Sequence, residues 1–452
     1  MNIYIDTLGC AKNEYDSQML AASLVDRGCR ITEEAGEADI IIVNTCGFIE
    51  AAKRESINRI LELAEEAKDV KLVVCGCLAE KYHEDLAREL PEVDMFFGVN
   101  DYDDLPERLM STTDNIDIKN ADLVGDGLVD LRYRKRVFQE GAHYGYLKIA
   151  EGCDNSCSFC AIPSIRGSFR SKKIEDCIRE ARDMANAEIK ELILIAQDSS
   201  QYGKDLYGEV RLPELLRRLA EIEGIEWIRL LYVYDNGITD ELIEVIKNEP
   251  KICKYIDMPI QHISDNVLKR MRRASRGDSI KSTIKKLRSE IPDVHIRTTL
   301  LVGFPGETEE DFNELLDFID EYQIDRLGAF AYSDEDGTAA YDMDNKNSKD
   351  ICELRRDAVM ERQYSVSEGL NEKAVGRVFE VIVDEIVNDS DDPAEESLLY
   401  VGRTRYDAPE IDCEVIFMAS EILSRGDIVN VLINNAYEYD LEGEFVGRGE
   451  II

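Results

Sequence analysis

The first 110 residues alternate short apolar runs with stretches of helical periodicity. Apolar runs of strand length occur at 2–6, 39–44 and 71–74, and between them apolar positions recur at helical spacing, as at Ile57 and Ile60. Strands that alternate with helices favour a parallel sheet. The pattern therefore predicts a βαβαβ unit at the N-terminus.

Six further strand signals, separated by helical stretches, occupy the middle of the chain. They lie at 144–149, 192–196, 227–232, 255–258, 295–302 and 326–331. Six consecutive βα units predict an open, incomplete (β/α)6 barrel. In such barrels, functional groups lie on the loops that follow the carboxyl ends of the strands.

The helical period disappears near residue 371, and short strands then follow one another. They are predicted at 377–383, 398–404, 413–418, 428–433 and 438–446. Five short strands separated by turn residues indicate a small antiparallel β-barrel of the OB type. The predicted fold class is thus α/β with three domains. Their limits are 1–135, 136–370 and 371–452, with a weakly patterned connection at 111–140.

Composition narrows the class of protein. Of 452 residues, 44% are hydrophobic and 33% charged, a balance that fits a globular rather than a disordered chain. No apolar run approaches the roughly 18 residues needed to span a bilayer, and the first residues lack the basic head and apolar stretch of a secretory signal. We expect a cytoplasmic protein without membrane contact. In that compartment, twelve cysteines indicate metal or redox chemistry rather than disulfides.

Three cysteines stand close together directly after the first barrel strand. Cys153, Cys157 and Cys160 have the spacing C-x3-C-x2-C. Thiolates hold iron–sulfur clusters, and three of them leave one iron of a four-iron cubane open to chelate S-adenosyl-L-methionine (SAM). A zinc site is one alternative, but it needs four ligands, and the nearest others are Cys177 and His143. Three packed thiols are the second alternative.

A second set of three cysteines follows the predicted N-terminal strands. Cys10, Cys46 and Cys77 each come after a strand, next to a glycine. Because the carboxyl ends of parallel strands lie along one edge of a sheet, we expect the three thiols to converge on a second cluster. The alternative is three buried thiols. Cys75 is the alternative to Cys77 as the third ligand, but Cys75 still belongs to the predicted strand. The remaining cysteines are interpreted as packing residues: Cys29, Cys177, Cys253, Cys352 and Cys413.

The central motif on a βα barrel resembles the radical SAM superfamily, and the segment VGFPGET at 302–308 resembles an element that follows the fifth strand of its barrel. A three-cysteine domain, this barrel and a small C-terminal barrel called a TRAM domain together resemble the methylthiotransferase family of radical SAM enzymes. The resemblance implies two 4Fe–4S clusters, one on each cysteine triad. It also implies SAM as the source of a radical and of a methyl group.

Four more residues are candidates for contacts to SAM or substrate. Phe159 is placed beside the adenine, or else it is a core aromatic. Gln197 and Asp198 follow a barrel strand, and each also suits an ordinary polar loop. Gly303 permits close approach of the backbone, although GFPGET by itself is a tight turn. Glu307 is predicted to open the next helix. No catalytic residue beyond the cluster ligands is predicted.

The net charge of −40 suits a basic partner, or else it reflects an acidic proteome in the host. Segments 196–203, 255–262, 405–412 and 436–441 resemble the branch of the family that methylthiolates an aspartate β-carbon in ribosomal protein S-twelve. Residues 372–450 contain six Lys and Arg against twenty Asp and Glu, a net charge of −14. An RNA-binding barrel needs a basic face, whereas an acidic one suits a basic ribosomal protein. We therefore expect S-twelve as partner, with an electron donor such as flavodoxin or ferredoxin, and no nucleic acid as direct substrate.

Two rival functions remain open at this stage. The first is a tRNA adenosine methylthiotransferase with the same chemistry. The second is a non-catalytic iron–sulfur redox carrier or sensor, which would not cleave SAM. The basic run at 132–136 also has two interpretations, as a solvated hinge or as a contact to an anionic cofactor or partner.

Overall fold

The computed structural model describes residues 1–67, 70–111, 131–387 and 398–449. Most of the predicted connection at 111–140 lies outside these residues. None of the helices within them is both long and apolar enough to cross a membrane.

The N-terminal domain is a five-stranded parallel sheet with helices on both faces. Its elements are β1 (Asn2–Thr7), α1 (Ala11–Val25), β2 (Arg30–Thr32), β3 (Ile40–Thr45), α2 (Glu50–Glu66), β4 (Lys71–Gly76), α3 (Cys77–Glu89), β5 (Met95–Phe97) and α4 (Leu105–Ser111). The strand order is β2-β1-β3-β4-β5, and all neighbours are parallel. The three predicted strands are β1, β3 and β4. The edge strands β2 and β5 were not predicted, because runs of three residues carry no recognisable period.

The central domain is an open array of six parallel strands with helices outside. Its elements are β6 (Tyr144–Lys148), β7 (Ala150–Glu151), α5 (Ile162–Arg166), β8 (Arg170–Ser171), α6 (Ile174–Asn186), β9 (Glu191–Ile195), α7 (Lys204–Tyr207), α8 (Leu212–Ala220), β10 (Trp227–Leu230), α9 (Asp240–Asn248), β11 (Tyr255–Asp257), α10 (Asp265–Arg270), α11 (Gly277–Glu290), β12 (His295–Val302), α12 (Glu309–Tyr322), β13 (Arg326–Ala331) and α13 (Lys349–Asn371). Strands β10-β9-β6 form one ladder and β11-β12-β13 another. A parallel bridge between Ile228 and Ile252 joins the two ladders. This arrangement confirms the predicted open (β/α)6 barrel, whose edges are β6 and β13.

The C-terminal domain is a closed five-stranded barrel. Its strands are β14 (Val378–Val387), β15 (Leu398–Thr404), β16 (Val415–Ala419), β17 (Ile428–Ala436) and β18 (Leu441–Gly447). The closed order is β14-β15-β16-β18-β17. One pair departs from the antiparallel prediction, since β16 and β18 run parallel. The predicted α/β fold class with three domains is confirmed, while the exact limits 1–135, 136–370 and 371–452 stay predictions.

The segment between β15 and β16 covers the amino-terminal end of the central barrel. The ring of Tyr406 stacks on that of His295, with centroids 4.0 Å apart, and Asp412 accepts a hydrogen bond from Tyr255 at 2.6 Å. His295 and Tyr255 are the first residues of their strands. The C-terminal domain therefore lies at the end of the barrel opposite the carboxyl ends of the strands.

The basic run at 132–136 joins the N-terminal domain to the barrel. Arg134 pairs with Asp103 at 2.5 Å, and Arg136 Nη1 donates to the main-chain oxygen of Tyr146 on the edge strand β6 at 2.7 Å. The solvated-hinge interpretation is wrong for Arg136, which is 8% exposed, while a contact of the run to an anionic cofactor or partner stays a prediction. The guanidinium groups of Arg134 and Arg136 both bind acceptors of this chain.

Candidate functional site

The central cysteines lie on a loop whose two ends are held together by the short antiparallel pair β7 and β8. Ser158 N, within this loop, donates to the Met271 carbonyl at 3.0 Å and fixes the loop against the barrel. Burial, together with the charges of Cys157 and Cys153, raises the pKa of Cys160 to about 12. The three thiols are therefore close enough to interact electrostatically at the carboxyl end of the barrel.

Asp198 and Asn155 support this loop from the neighbouring strand end. The Asn155 amide donates to Asp198 Oδ2 at 2.7 Å and points to Cys153 Sγ at 3.5 Å. The other oxygen of Asp198 accepts from the Ser200 hydroxyl and main-chain N–H. Both carboxylate oxygens are thus engaged within the protein, so Asp198 positions the cysteine loop. Its predicted contact to SAM or substrate stays a prediction.

Gln197 presents a free acceptor beside that loop. Its Nε2 donates to Glu151 Oε1 at 2.8 Å, whereas its buried Oε1 has no hydrogen-bond partner among the described residues. A buried acceptor without a partner is costly, and a ligand donor such as an amino or hydroxyl group would satisfy it. Gln197 therefore fits its predicted role, which remains a prediction.

Phe159 and Gly303 have structural explanations of their own. The Phe159 ring packs edge-on against Phe304, with centroids 6.4 Å apart. Gly303 has φ +76°, and a Cβ there would lie 2.3 Å from Cys352 Sγ. Position 303 thus requires glycine because its backbone packs closely against α13. Cofactor contacts of both residues stay predictions.

The prediction that Glu307 opens the following helix is wrong. The helix is capped by Thr308, whose side chain accepts from the Asp311 N–H, while Asp311 accepts from Thr308 N. Glu307 instead accepts from Phe304 N at 3.0 Å and pairs with Arg355 at 2.9 Å. It braces the preceding turn from within the core.

The second triad converges at the carboxyl edge of the N-terminal sheet. Cys10 is the N-cap of α1, Cys46 follows β3, and Cys77 begins α3. A Cβ on Gly9, whose φ is +93°, would lie 2.6 Å from the Cβ of Cys46, so only glycine permits this approach. Burial raises the pKa of Cys77 to about 11, with Arg166 lowering it and the neighbouring Cys10 and Cys46 adding to the rise.

Cys75 and the other cysteines do not join either triad. Cys75 lies inside β4, where its main chain pairs with Asn44 and Phe97, and it is fully buried. The packing interpretation also suits the five remaining thiols, each of which is buried: Cys29, Cys177, Cys253, Cys352 and Cys413. The choice of Cys77 over Cys75 rests on its position at the strand end beside Cys10 and Cys46.

Neither triad suits a single metal ion. Within the described ranges, no three His, Cys, Asp or Glu side chains are grouped closely enough to hold one. A cubane takes one thiolate for each of three irons, so its thiolates stand farther apart than the ligands of one ion. Two sets of three thiols without a fourth ligand fit clusters with an open iron better than zinc. Iron binding would displace the thiol protons that burial retains.

A buried charge network joins the two triads. Lys148 Nζ lies 2.5 Å from Asp16 Oδ1 and 2.6 Å from Glu151 Oε2. Arg166 Nη1 lies 2.7 Å from Asp16 Oδ2 and 3.3 Å from Glu151 Oε2. Burial alone would raise the pKa of Glu151, but Lys148 and Arg166 hold it below its usual value. The positive charges of Lys148 and Arg166 cancel the negative charges of Asp16 and Glu151, and buried charges need such pairing.

The N-terminal domain covers the carboxyl end of the barrel through contacts on both sides. On one side, Lys53 of α2 pairs with Glu335 in the segment after β13 at 2.5 Å. On the other, the Lys12 ammonium lies 3.6 Å from the ring centroid of Tyr232, shortly after β10. The edge of the sheet that carries the second triad therefore faces the loops that carry the first. The sequence patterns did not predict a role for Lys12, Asp16 or Arg166. For Lys12 and Asp16, the available signal was the presence of polar residues on the buried face of α1.

Comparison with known proteins agrees with this architecture. The uncharacterized protein family UPF0004 matches residues 2–98, the radical SAM superfamily matches 147–319, and the TRAM domain matches 375–446. The three matches fall on the parallel sheet, the open barrel and the closed barrel.

Two relatives match over almost their full length. A ribosomal protein uS12 methylthiotransferase RimO from Acetivibrio thermocellus is 45% identical, with 98% of each chain covered. The protein of the same name from Flavobacterium johnsoniae is 46% identical, covering 98% of this chain and 97% of its own. The chain belongs to the RimO family of radical SAM methylthiotransferases. The predicted family is thereby confirmed, and its RimO branch with it.

A solved structure shares the fold of this RimO family member. The radical SAM methyltransferase TsrM from Kitasatospora setae, determined with cobalamin and a 4Fe–4S cluster bound, superimposes with a TM-score of 0.57. The match covers 87% of this chain and 81% of TsrM at 12% identity. At that identity the likeness concerns the fold alone.

Proposed function

We propose that this chain methylthiolates an aspartate β-carbon of ribosomal protein uS12, using SAM and two 4Fe–4S clusters. The observation that carries the proposal is the pair of cysteine triads on facing sides of the barrel mouth, joined through Arg166, in a member of the RimO family. A single triad would serve a redox carrier or a simple SAM-cleaving enzyme. Two triads that face each other suit a reaction that needs both a radical and a sulfur atom at one carbon.

The central triad of Cys153, Cys157 and Cys160 would hold one cluster, and the triad of Cys10, Cys46 and Cys77 the other. When bound, the clusters and SAM supply a hydrogen-abstracting radical and the sulfur and methyl groups for transfer. The protein positions these groups and excludes water. Asp198 and Asn155 hold the central loop, Gln197 offers an acceptor beside it, and the N-terminal domain covers the mouth.

The charges of the C-terminal domain support a basic protein substrate rather than RNA. Its described arginines are largely neutralised within the chain: Arg403 pairs with Glu191 at 2.6 Å and Arg448 with Asp427 at 3.1 Å. The domain therefore offers few free cations for the phosphate contacts that dominate RNA affinity.

We infer a cytoplasmic enzyme that receives electrons from a donor such as flavodoxin or ferredoxin.

The test uses anaerobically reconstituted protein with a reductant, SAM and either a uS12 peptide that contains the target aspartate or bulk tRNA. Mass spectrometry measures methylthio addition, and chromatography measures 5′-deoxyadenosine. We expect methylthiolated peptide and unmodified tRNA. Modified tRNA with unmodified peptide would favour the tRNA alternative, and the absence of 5′-deoxyadenosine would favour a redox carrier.

Cysteine variants separate the roles of the two triads. Cys157→Ala should abolish 5′-deoxyadenosine formation. Cys46→Ala should retain it but lose methylthio transfer, with about half of the wild-type iron after reconstitution. Cys177→Ala is the matched control, because this thiol is buried like that of Cys46 and contacts the Tyr202 hydroxyl, and it should retain both activities. Equal iron in Cys46→Ala and the wild type would contradict the second cluster.

A further inference from the structure

Lys12 is a buried lysine at the boundary between the N-terminal domain and the barrel mouth. It lies in the first turn of α1, and its side chain is largely buried, with the residue 7% exposed. Its ammonium lies 3.6 Å from the ring centroid of Tyr232. Tyr232 follows β10 with φ +60°, a conformation uncommon for a side chain of this size. The Tyr232 ring therefore faces the ammonium of Lys12 across the domain boundary.

Lys12 lacks the counter-ion that the other buried lysines have. Lys148 lies 2.5 Å from an oxygen of Asp16, and Lys172 lies 2.6 Å from one of Glu180. No carboxylate of the described residues lies within 4 Å of the Lys12 ammonium, and it donates no hydrogen bond to them. The Lys12 nitrogen is not among the fully enclosed polar atoms that lack a partner, and the cation–π contact with Tyr232 leaves its N–H donors free to bind a ligand. Lys12 thus offers an unpaired cation to an anion at the mouth of the barrel.

Lys12 and the ring that it contacts each stand two residues from a residue that belongs to, or contacts, one of the triads. Cys10 precedes it by two residues at the start of the same helix. On the barrel side, Tyr234 stands two residues after Tyr232, and its hydroxyl lies 4.0 Å from Cys157 Sγ. An anion bound by Lys12 would therefore lie where the N-terminal domain meets the loops of the barrel mouth.

We propose that Lys12 binds the carboxylate of the substrate aspartate and selects aspartate over asparagine. This inference rests on the proposed function. The β-carbon of aspartate is bonded directly to its carboxylate carbon, so a cation that fixes the carboxylate also fixes the carbon to be modified. Asparagine has nearly the same shape but no charge. It would leave the ammonium of Lys12 unpaired.

The experiment compares the wild type with Lys12→Met and Lys12→Arg on two uS12 peptides that carry Asp or Asn at the target position. For the Asp peptide, Lys12→Met should lower kcat/KM and weaken peptide binding by roughly 30-fold or more. It should also abolish the preference for Asp over Asn. Lys12→Arg keeps the charge and should retain part of that preference. Lys247→Met, at an exposed site on α9, is the matched control and should behave as the wild type.

Two further measurements make the outcome decisive. Reconstituted iron and 5′-deoxyadenosine formation without peptide should be unchanged in Lys12→Met, because the proposed role concerns the substrate. Parallel loss of SAM cleavage would overturn the proposal, since Lys12 would then serve SAM or a cluster. Retained Asp preference in Lys12→Met, in kcat/KM or in direct binding of the peptides, would also overturn it. A wild type that modifies no uS12 peptide would instead contradict the proposed function itself.

Discussion

Arg166 donates a hydrogen bond from Nη2 to Sγ of Cys77 at 3.3 Å, although the two residues belong to different domains. Arg166 ends α5, the short helix that follows Cys160 within the loop between β7 and β8. The same guanidinium binds Asp16 and Glu151 through Nη1. One side chain therefore connects the loop of one triad to a thiol of the other, and this connection fixes the distance between the two sites.

Substitution of Arg166 should affect the N-terminal cluster more than the central one. Hydrogen bonds to ligand sulfurs raise the reduction potentials of iron–sulfur clusters. Arg166→Lys keeps the charge but loses the planar fork, so we expect the potential of the N-terminal cluster to fall while that of the central cluster stays unchanged. Redox titration followed by electron paramagnetic resonance measures both. An equal shift of the two potentials would contradict this assignment.

Arg166→Met should also destabilise the folded chain. It leaves the buried carboxylates of Asp16 and Glu151 with Lys148 as their single cation, which costs about 3–5 kcal/mol. Urea denaturation of the reconstituted protein measures the loss. The matched control is Arg217→Met, whose exposed partner is Glu241, and which should change the free energy of unfolding by less than about 1 kcal/mol.

Removal of the Asp198 carboxylate should weaken the central cluster. Asp198→Ala frees the Asn155 amide that lies beside Cys153 Sγ, and loss of such supporting groups typically lowers metal affinity by about 10–100-fold. Iron retention under chelator challenge and 5′-deoxyadenosine formation should both fall. Asp240→Ala, which removes an exposed carboxylate, is the control. Unchanged retention in Asp198→Ala would show that the loop holds without this support.

The attachment of the C-terminal domain should depend on Glu191. This carboxylate lies 2.7 Å from Arg229 and 2.6 Å from Arg403, and all three side chains are buried. Burial alone would raise the pKa of Glu191, but the two arginines lower the pKa by more, so that it lies below its usual value. A lowered pKa stabilises the fold above pH 4.5, and that stability is lost as the pH falls through the folded-state pKa. Glu191→Gln should cost about 3–5 kcal/mol at pH 7, measured by urea denaturation. A loss as small as that of the exposed Glu241→Gln would contradict this role.

Glu14 should make the chain less stable as the pH rises. Burial and the nearby Glu410 raise its pKa to about 7. A raised carboxyl pKa gives stability below pH 4.5 that is lost by pH 7, because the unfolded chain ionises first. Glu14→Gln should therefore be about 1–2 kcal/mol more stable than the wild type at pH 8, with a much smaller difference at pH 5. Equal differences at both pH values, measured by denaturation, would contradict the raised pKa.

The sequence pattern was sufficient for the three folding units and for the expectation that Cys10, Cys46 and Cys77 meet at one edge of a sheet. Periodicity of apolar residues reports local structure directly, and the ends of parallel strands meet at one edge whatever the details of packing. This is why Cys10, Cys46 and Cys77 were identified although they are far apart in the chain. The short strands β2 and β5 were missed, because three residues carry no period.

The partners of the charged side chains emerged only from the tertiary structure. Lys12 opposite Tyr232, Arg166 on Cys77, and the Arg136 contact to β6 join segments that local patterning treats separately. Arg166 and Asp16 are 150 positions apart, and their pairing follows from how two domains dock. From the sequence alone, a charged residue at such a position is predicted to be exposed to solvent, because the domain that buries it is not evident from local patterning. Sequence patterning thus identifies two sets of candidate thiols, and domain docking decides how the two sets face each other.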